Sequence, residues 1–132
     1  MFKRLMKMKE DKKGFTLAEL LIVVAIIGVL VAVSIPIFTA QLTKARRATN
    51  QANLRAAKAA AVADYLVNEN FNGKGADYVY KISSGTVATP VAFTKAGPIT
   101  DIIDTKQISS TSNYTAITVH IDAVSTVTFT AS

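Results

Sequence analysis

From Phe15 to Phe38 the chain reads FTLAELLIVVAIIGVLVAVSIPIF, and this run constrains everything around it. Its polar residues are Thr16, Glu19 and Ser34, and between Leu20 and Val33 there is none. As a helix, its 24 residues span about 36 Å at ~1.5 Å per residue. A bilayer hydrocarbon core is roughly 30 Å thick, so the run is long enough to cross one. Glu19 is its anomaly. An acid in a spanning segment costs a few kcal/mol and by default marks function.

The charge pattern gives the run a direction. The chain of 132 residues has a formal charge of +6, with 15 Lys and Arg against 9 Asp and Glu. Residues 1–13 carry Lys3, Arg4, Lys7, Lys9, Lys12 and Lys13 against Glu10 and Asp11. Most of the excess is thus a basic tail ahead of an apolar run, a targeting arrangement rather than a nucleic-acid-binding surface. Six cations precede the run and Lys44, Arg46 and Arg47 follow it, so the N-terminus is expected on the cytoplasmic side. There is no Cys and a single His, His120. That excludes disulfides, iron–sulfur clusters, a cysteine nucleophile and multi-histidine metal sites.

Helical character continues past the apolar run. Thr39–Val67 is rich in Ala, Leu, Lys, Arg and Gln, with no Gly or Pro. Leu42, Ala45, Ala52, Ala56, Ala59, Ala63 and Leu66 recur at helical spacing and predict the buried face. One helix from Phe15 to about Asn68 is expected, about 80 Å long. Pro36 should bend or loosen it by removing one backbone bond, and Gly28 is a second weak point. The stretch Asn68–Gly75, NENFNGKG, should end it.

Beyond Gly75 the residues favour strands. Tyr78–Ile82 and Thr86–Phe93 are candidates, the second pushed to an edge by Pro90. Ile117, Val119 and Ile121 alternate with Thr118, His120 and Asp122, and Val127 and Phe129 with Thr126, Thr128 and Thr130. That predicts an antiparallel hairpin turning through Ala123–Ser125, with one face apolar and one polar. Gly97–Ser112 reads as loop. A sheet of three or four strands cannot bury much alone, so the Ala-rich helix is its expected partner. The fold class is α+β. The expected divisions are a basic leader over 1–14, an apolar helix over 15–38 and a globular head over 39–132.

The stretch Lys12-Lys13-Gly14-Phe15-Thr16-Leu17-Ala18-Glu19-Leu20 joins a basic tail, a Gly-Phe junction and one carboxylate at the top of the apolar run. With the run that follows, it resembles the N-terminal signature of type IV pilins and of the pseudopilins of type II secretion and competence systems. The resemblance is close over about residues 12–38 and generic beyond them. It implies cutting between Gly14 and Phe15 by a membrane prepilin peptidase, which also N-methylates Phe15. It implies a filament subunit, not an enzyme, with no cofactor: a major pilin whose filament serves adhesion, twitching motility or DNA uptake. A minor pilin or pseudopilin is the alternative, and a membrane-anchored surface binding protein a second. The implied partners are identical subunits in a helical homopolymer, the peptidase and methyltransferase, the inner-membrane assembly machinery, the membrane before assembly, and DNA or a host surface. The protein would sit in the cytoplasmic membrane first and in an extracellular filament afterwards.

The chemistry of the residues fits this. Gly14 has no Cβ, so the chain can lie extended in a protease cleft. Cleavage would create an amine at Phe15, and Glu19 can neutralise the amine of a neighbouring subunit. Ala18, Ala25, Gly28 and Ala32 permit close helix approach. The chain departs from many relatives in its 14-residue leader and in lacking the C-terminal cysteine pair, which leans towards a Gram-positive source.

Other signals are weaker. Ala32-Val33-Ser34 is spaced for signal peptidase, but the length of the run, Glu19 and Pro36 weigh against cleavage there. Lys44, Arg46, Arg47, Arg55 and Lys58 form a basic stretch that suits DNA capture. Its plainer role is solvated charge or pairing, with Asp64 and Glu69 as available partners. His120 with Asp122, and Asp101 with Asp104, are too few for a metal site and read as polar surface. Tyr78, Tyr80, Phe93, Tyr114 and Phe129 read as head core. Asn113-Tyr114-Thr115 matches a glycosylation sequon. There is no nucleotide loop, nucleophile elbow or catalytic carboxylate pair.

Overall fold

The computed structural model describes residues 14, 16–71, 73–104 and 106–132. One helix, α1 (Leu17–Val67), is followed by five strands: β1 (Ala76–Lys81), β2 (Thr86–Val87), β3 (Val91–Ala92), β4 (Ala116–Ile121) and β5 (Val127–Ala131). The chain divides into two compact units, one ending at Ala40 and one starting at Gln41.

In the first unit every described residue from Thr16 to Ala40 is exposed. Leu17 is 79% and Phe38 66% exposed, so this apolar surface has no partner among the described residues. Helical assignment runs through Pro36 without a break. Two hydroxyls bond back into the helix around it: Ser34 Oγ donates to the Leu30 carbonyl at 2.6 Å and Thr39 Oγ1 to the Pro36 carbonyl at 3.0 Å.

The second unit packs the later part of α1 on an antiparallel sheet of order β2-β1-β4-β5, with β3 also on β1. Register pairs Tyr78 with Val119 and Val119 with Phe129. That stacks Tyr78, Tyr80, Ile117, Val119, Ile121 and Phe129 on one face, where all are buried. From α1 they meet Asn50, Leu54, Ala57, Ala61 and Tyr65. The expected stripe through Ala52, Ala56, Ala59, Ala63 and Leu66 is instead exposed. Ala is so frequent here that several stripes satisfy helical spacing. The large side chains Leu54 and Tyr65 choose the face, and Ala57 and Ala61 between them let the sheet come close.

The strands refine expectation in two places. β1 starts at Ala76, two residues early, and the span Thr86–Phe93 is two dipeptide strands on either side of Pro90. Pro90 cannot donate to a ladder, so pairing stops around it, and both pieces lie on the outer edge of β1. The β4–β5 hairpin turns at 123–125 as its alternation predicts. Asp122 Oδ1 accepts the Val124 and Thr126 N–H groups, and Ser125 takes a positive φ of 64°.

The segment Phe93–Ile99 is a strap across the other sheet face. Thr94 donates N–H and Oγ1–H to Asp77 Oδ2, and Gly97 N–H donates to Thr128 Oγ1. Ile99 then bridges Phe129 at the edge of β5. Gly97 is required, because a Cβ there would collide with the Phe129 carbonyl.

Candidate functional site

The residues singled out by sequence lie at the start of α1. Thr16 is its N-cap. Thr16 Oγ1 accepts the Glu19 N–H at 3.2 Å, and Glu19 Oε2 accepts the Thr16 N–H at 3.0 Å. This reciprocal pair is a capping box, spelled Thr-x-x-Glu in the sequence. It satisfies two of the N–H groups that every helix start leaves unpaired and places negative charge at the positive end of the helix dipole. Glu19 therefore has a job within its own chain, which sequence reasoning overlooked although the motif was there to be seen. Its other oxygen, Oε1, accepts no hydrogen bond among the described residues. Gly14 is exposed, and a Cβ there would touch nothing. Residues 1–13 and Phe15, the rest of the expected leader and cleavage junction, lie outside the described residues.

Further along the same helix, Gly28 also opens onto free space. Beside it Ala25, Ile26, Val29 and Leu30 line a shallow apolar hollow of about 310 Å³. With no side-chain hydrogen bond donor in its walls, this surface offers only dispersion contacts, to lipid or to another apolar helix.

The polar residues of the head are engaged in bonds within the fold. His120 and Asp122, expected on open polar surface, are separated by role. His120 is 7% exposed. Its Nδ1 meets Asp77 Oδ1 at 2.8 Å and its Nε2 meets Thr130 Oγ1 at 2.9 Å. Phe93, placed in the core by sequence, is half-buried and stands edge-on to the His120 ring, with centroids 6.4 Å apart. The carboxylate–imidazole–hydroxyl order has the connectivity of a nucleophilic triad. Here the His120 nitrogens and Asp77 are buried in bonds that tie β1, β4, β5 and the strap together, as a buried polar cluster must be. Asp122 serves the hairpin turn. Asp101 Oδ1 and Asp104 Oδ1 likewise cap the N–H groups of Ile103 and Lys106. Among the described residues no group of three or more His, Cys, Asp or Glu is placed to hold a metal.

The basic stretch on α1 also behaves differently from expectation. Arg46 Nη1 donates to the Thr111 carbonyl at 2.9 Å. Lys44, Arg55 and Lys58 are exposed, and among the described residues none of the five cations forms an ion pair with Asp64 or Glu69. Asp64 turns inward instead, where its Oδ2 and the Tyr78 hydroxyl are both closed to solvent. Burial, and then the negative charge of Asp64, push the Tyr78 phenol up to about 12. Asn50, which the periodicity passed over, is fully buried. Its Nδ2 donates to the Ser109 and Ser112 carbonyls and its Oδ1 accepts the Tyr114 N–H. A buried amide of this kind organises a loop.

No solved structure matches the chain. Residues 11–35 match the family model of the prokaryotic N-terminal methylation motif, whose span includes Gly14, the Thr16–Glu19 capping box and most of the unpartnered apolar surface. That motif is the class III signal of type IV pilins, and here it stands ahead of a long helix followed by a small antiparallel sheet.

Proposed function

We propose that this protein is a structural subunit, the major pilin, of a type IV pilus. In this reading the leader is removed between Gly14 and Phe15, Phe15 is N-methylated, and the apolar half of α1 leaves the membrane to become filament core. The observation that carries it is Glu19: one carboxylate, at the head of a helix whose surface from Leu17 to Phe38 is exposed and apolar. In a filament that surface meets neighbouring subunits. Glu19 Oε2 continues to cap its own helix while Oε1 accepts the new ammonium of a neighbour's Phe15. Gly28 and the hollow beside it let a second helix approach, and Pro36 supplies local give. Adhesion, motility and DNA uptake belong to the assembled fibre.

Intact-mass spectrometry of sheared surface filaments tests the proposal. The expected main component is a chain starting at N-methyl-Phe15. A filament whose main component begins at Met1 or Ile35 refutes the processing, and one in which this chain is a trace component assigns it to the minor pilins.

A further inference from the structure

Arg47 is a cation with no ion pair among the described residues. Its neighbour Arg46 is held by the Thr111 carbonyl, but Arg47 makes no hydrogen bond or ion pair among the described residues. It is half-buried, and its Nε is closed to solvent and unpartnered. Partial desolvation of a charge that forms no ion pair is unfavourable, and an anion bound directly to it would offset that. The side chain lines an open groove of about 700 Å³, which also takes in Lys106. Among the described residues no Asp or Glu lines this groove. The acid nearest Lys106 in sequence, Asp104, spends Oδ1 on the Lys106 N–H. Ser132 lines the groove with its terminal carboxylate, which accepts the Thr115 and Ala116 N–H groups through one oxygen and forms no ion pair with Arg47 or Lys106.

The rest of the groove has two textures. Ser110 and its neighbours form a hydroxyl-rich wall, in which Ser109 Oγ already bonds the Thr111 and Ser112 hydroxyls, while exposed Pro98 gives an apolar floor. The wall is fixed from beneath, because Asn50 ties the Ser109 and Ser112 carbonyls and the Tyr114 hydroxyl accepts the Ser109 N–H. A wall held in place before a ligand arrives avoids an ordering cost on binding. Cations, hydroxyls and an apolar floor together match a sugar that carries a carboxylate. The carboxylate takes the two Nη groups of the guanidinium, the ring hydroxyls take Ser110 and its neighbours, and the C–H face lies on the floor. We infer that this groove, framed by Arg47, Lys106 and the Ser109–Ser112 loop, binds an acidic saccharide. The inference does not depend on the filament reading.

Titration calorimetry on the full chain in a sugar-free detergent tests it, with glucuronate, glucose and inorganic phosphate as probes. Saturable glucuronate binding is expected, with glucose weaker by about tenfold or more for want of the charge-assisted bonds. Arg47→Gln should weaken glucuronate by about tenfold, Arg47→Lys should restore part of the loss, and the melting temperature should hold. Should Arg47→Gln misfold, Lys106→Gln on an exposed residue decides the matter with a loss of about threefold or more. No saturable glucuronate binding, or full affinity in the charge-removing variants, overturns the site. Phosphate binding as tightly as glucuronate overturns the saccharide assignment.

Discussion

Replacing Glu19 by Ala, and separately by Gln, distinguishes the two tasks its carboxylate can perform. Within the chain it closes the capping box with Thr16, at 3.0 and 3.2 Å. Losing a cap costs about 1 kcal/mol. Gln serves at this position of a capping box as well as Glu does, apart from a charge–dipole contribution of about 0.3–1 kcal/mol. Between subunits the same carboxylate would be the counter-charge of a buried amine, and removing one member of such a pair costs about 3–5 kcal/mol. At ~1.4 kcal/mol per factor of ten, the capping role is worth roughly fivefold in a subunit equilibrium and the pairing role more than a hundredfold. Thr16→Ala should therefore reduce filaments mildly. Glu19→Gln and Glu19→Ala should both abolish or nearly abolish them, although Gln preserves the cap. Membrane level and leader cleavage should stay near normal in all three, because Glu19→Ala only makes the run easier to insert. The assay is the sheared filament fraction from cells lacking the unmodified protein, with immunoblots of membranes for processing. Filaments of Glu19→Gln at the unmodified level would refute the counter-charge and leave capping as the whole role. Loss of processing would move Glu19's action to the peptidase.

Three further outcomes follow from the head. Leu54→Ala, at a fully buried position, should cost about 2–5 kcal/mol in denaturant unfolding, whereas Leu66→Ala, 77% exposed, should stay within about 0.5 kcal/mol; the reverse order would place the core on the wrong face of α1. Asn50→Leu strips partners from three main-chain groups and should destabilise by about 1–3 kcal/mol per group left buried and unpaired, with loss of protection at the Tyr114 amide in hydrogen exchange; an unchanged amide would contradict the loop-organising role. Tyr78 should ionise near pH 12 when followed by phenolate absorption, against about 10 for a free phenol. Since the unfolded chain loses that proton first, its contribution to stability is complete below about pH 10 and is lost as pH rises towards 12, and Tyr78→Phe should flatten this alkaline decline.

Much of this protein was legible in the sequence because its signals are local. An unbroken apolar run, an Asn- and Gly-rich stop and strict alternation around Ile117–Phe129 each act through neighbouring residues, so length and period were enough to read them. The Thr16–Glu19 cap was equally local, lying in a spacing of three. The tertiary structure decided what depends on contacts between distant residues. Ala offers little preference among helix faces, so the buried stripe was chosen only when Leu54 and Tyr65 found the sheet. His120 looked exposed on an alternating strand. It is buried because Asp77, 43 residues away, lies opposite it and the strap crosses above them both. That crossing depends on the missing side chain of Gly97, and no periodicity records how closely two backbones must pass.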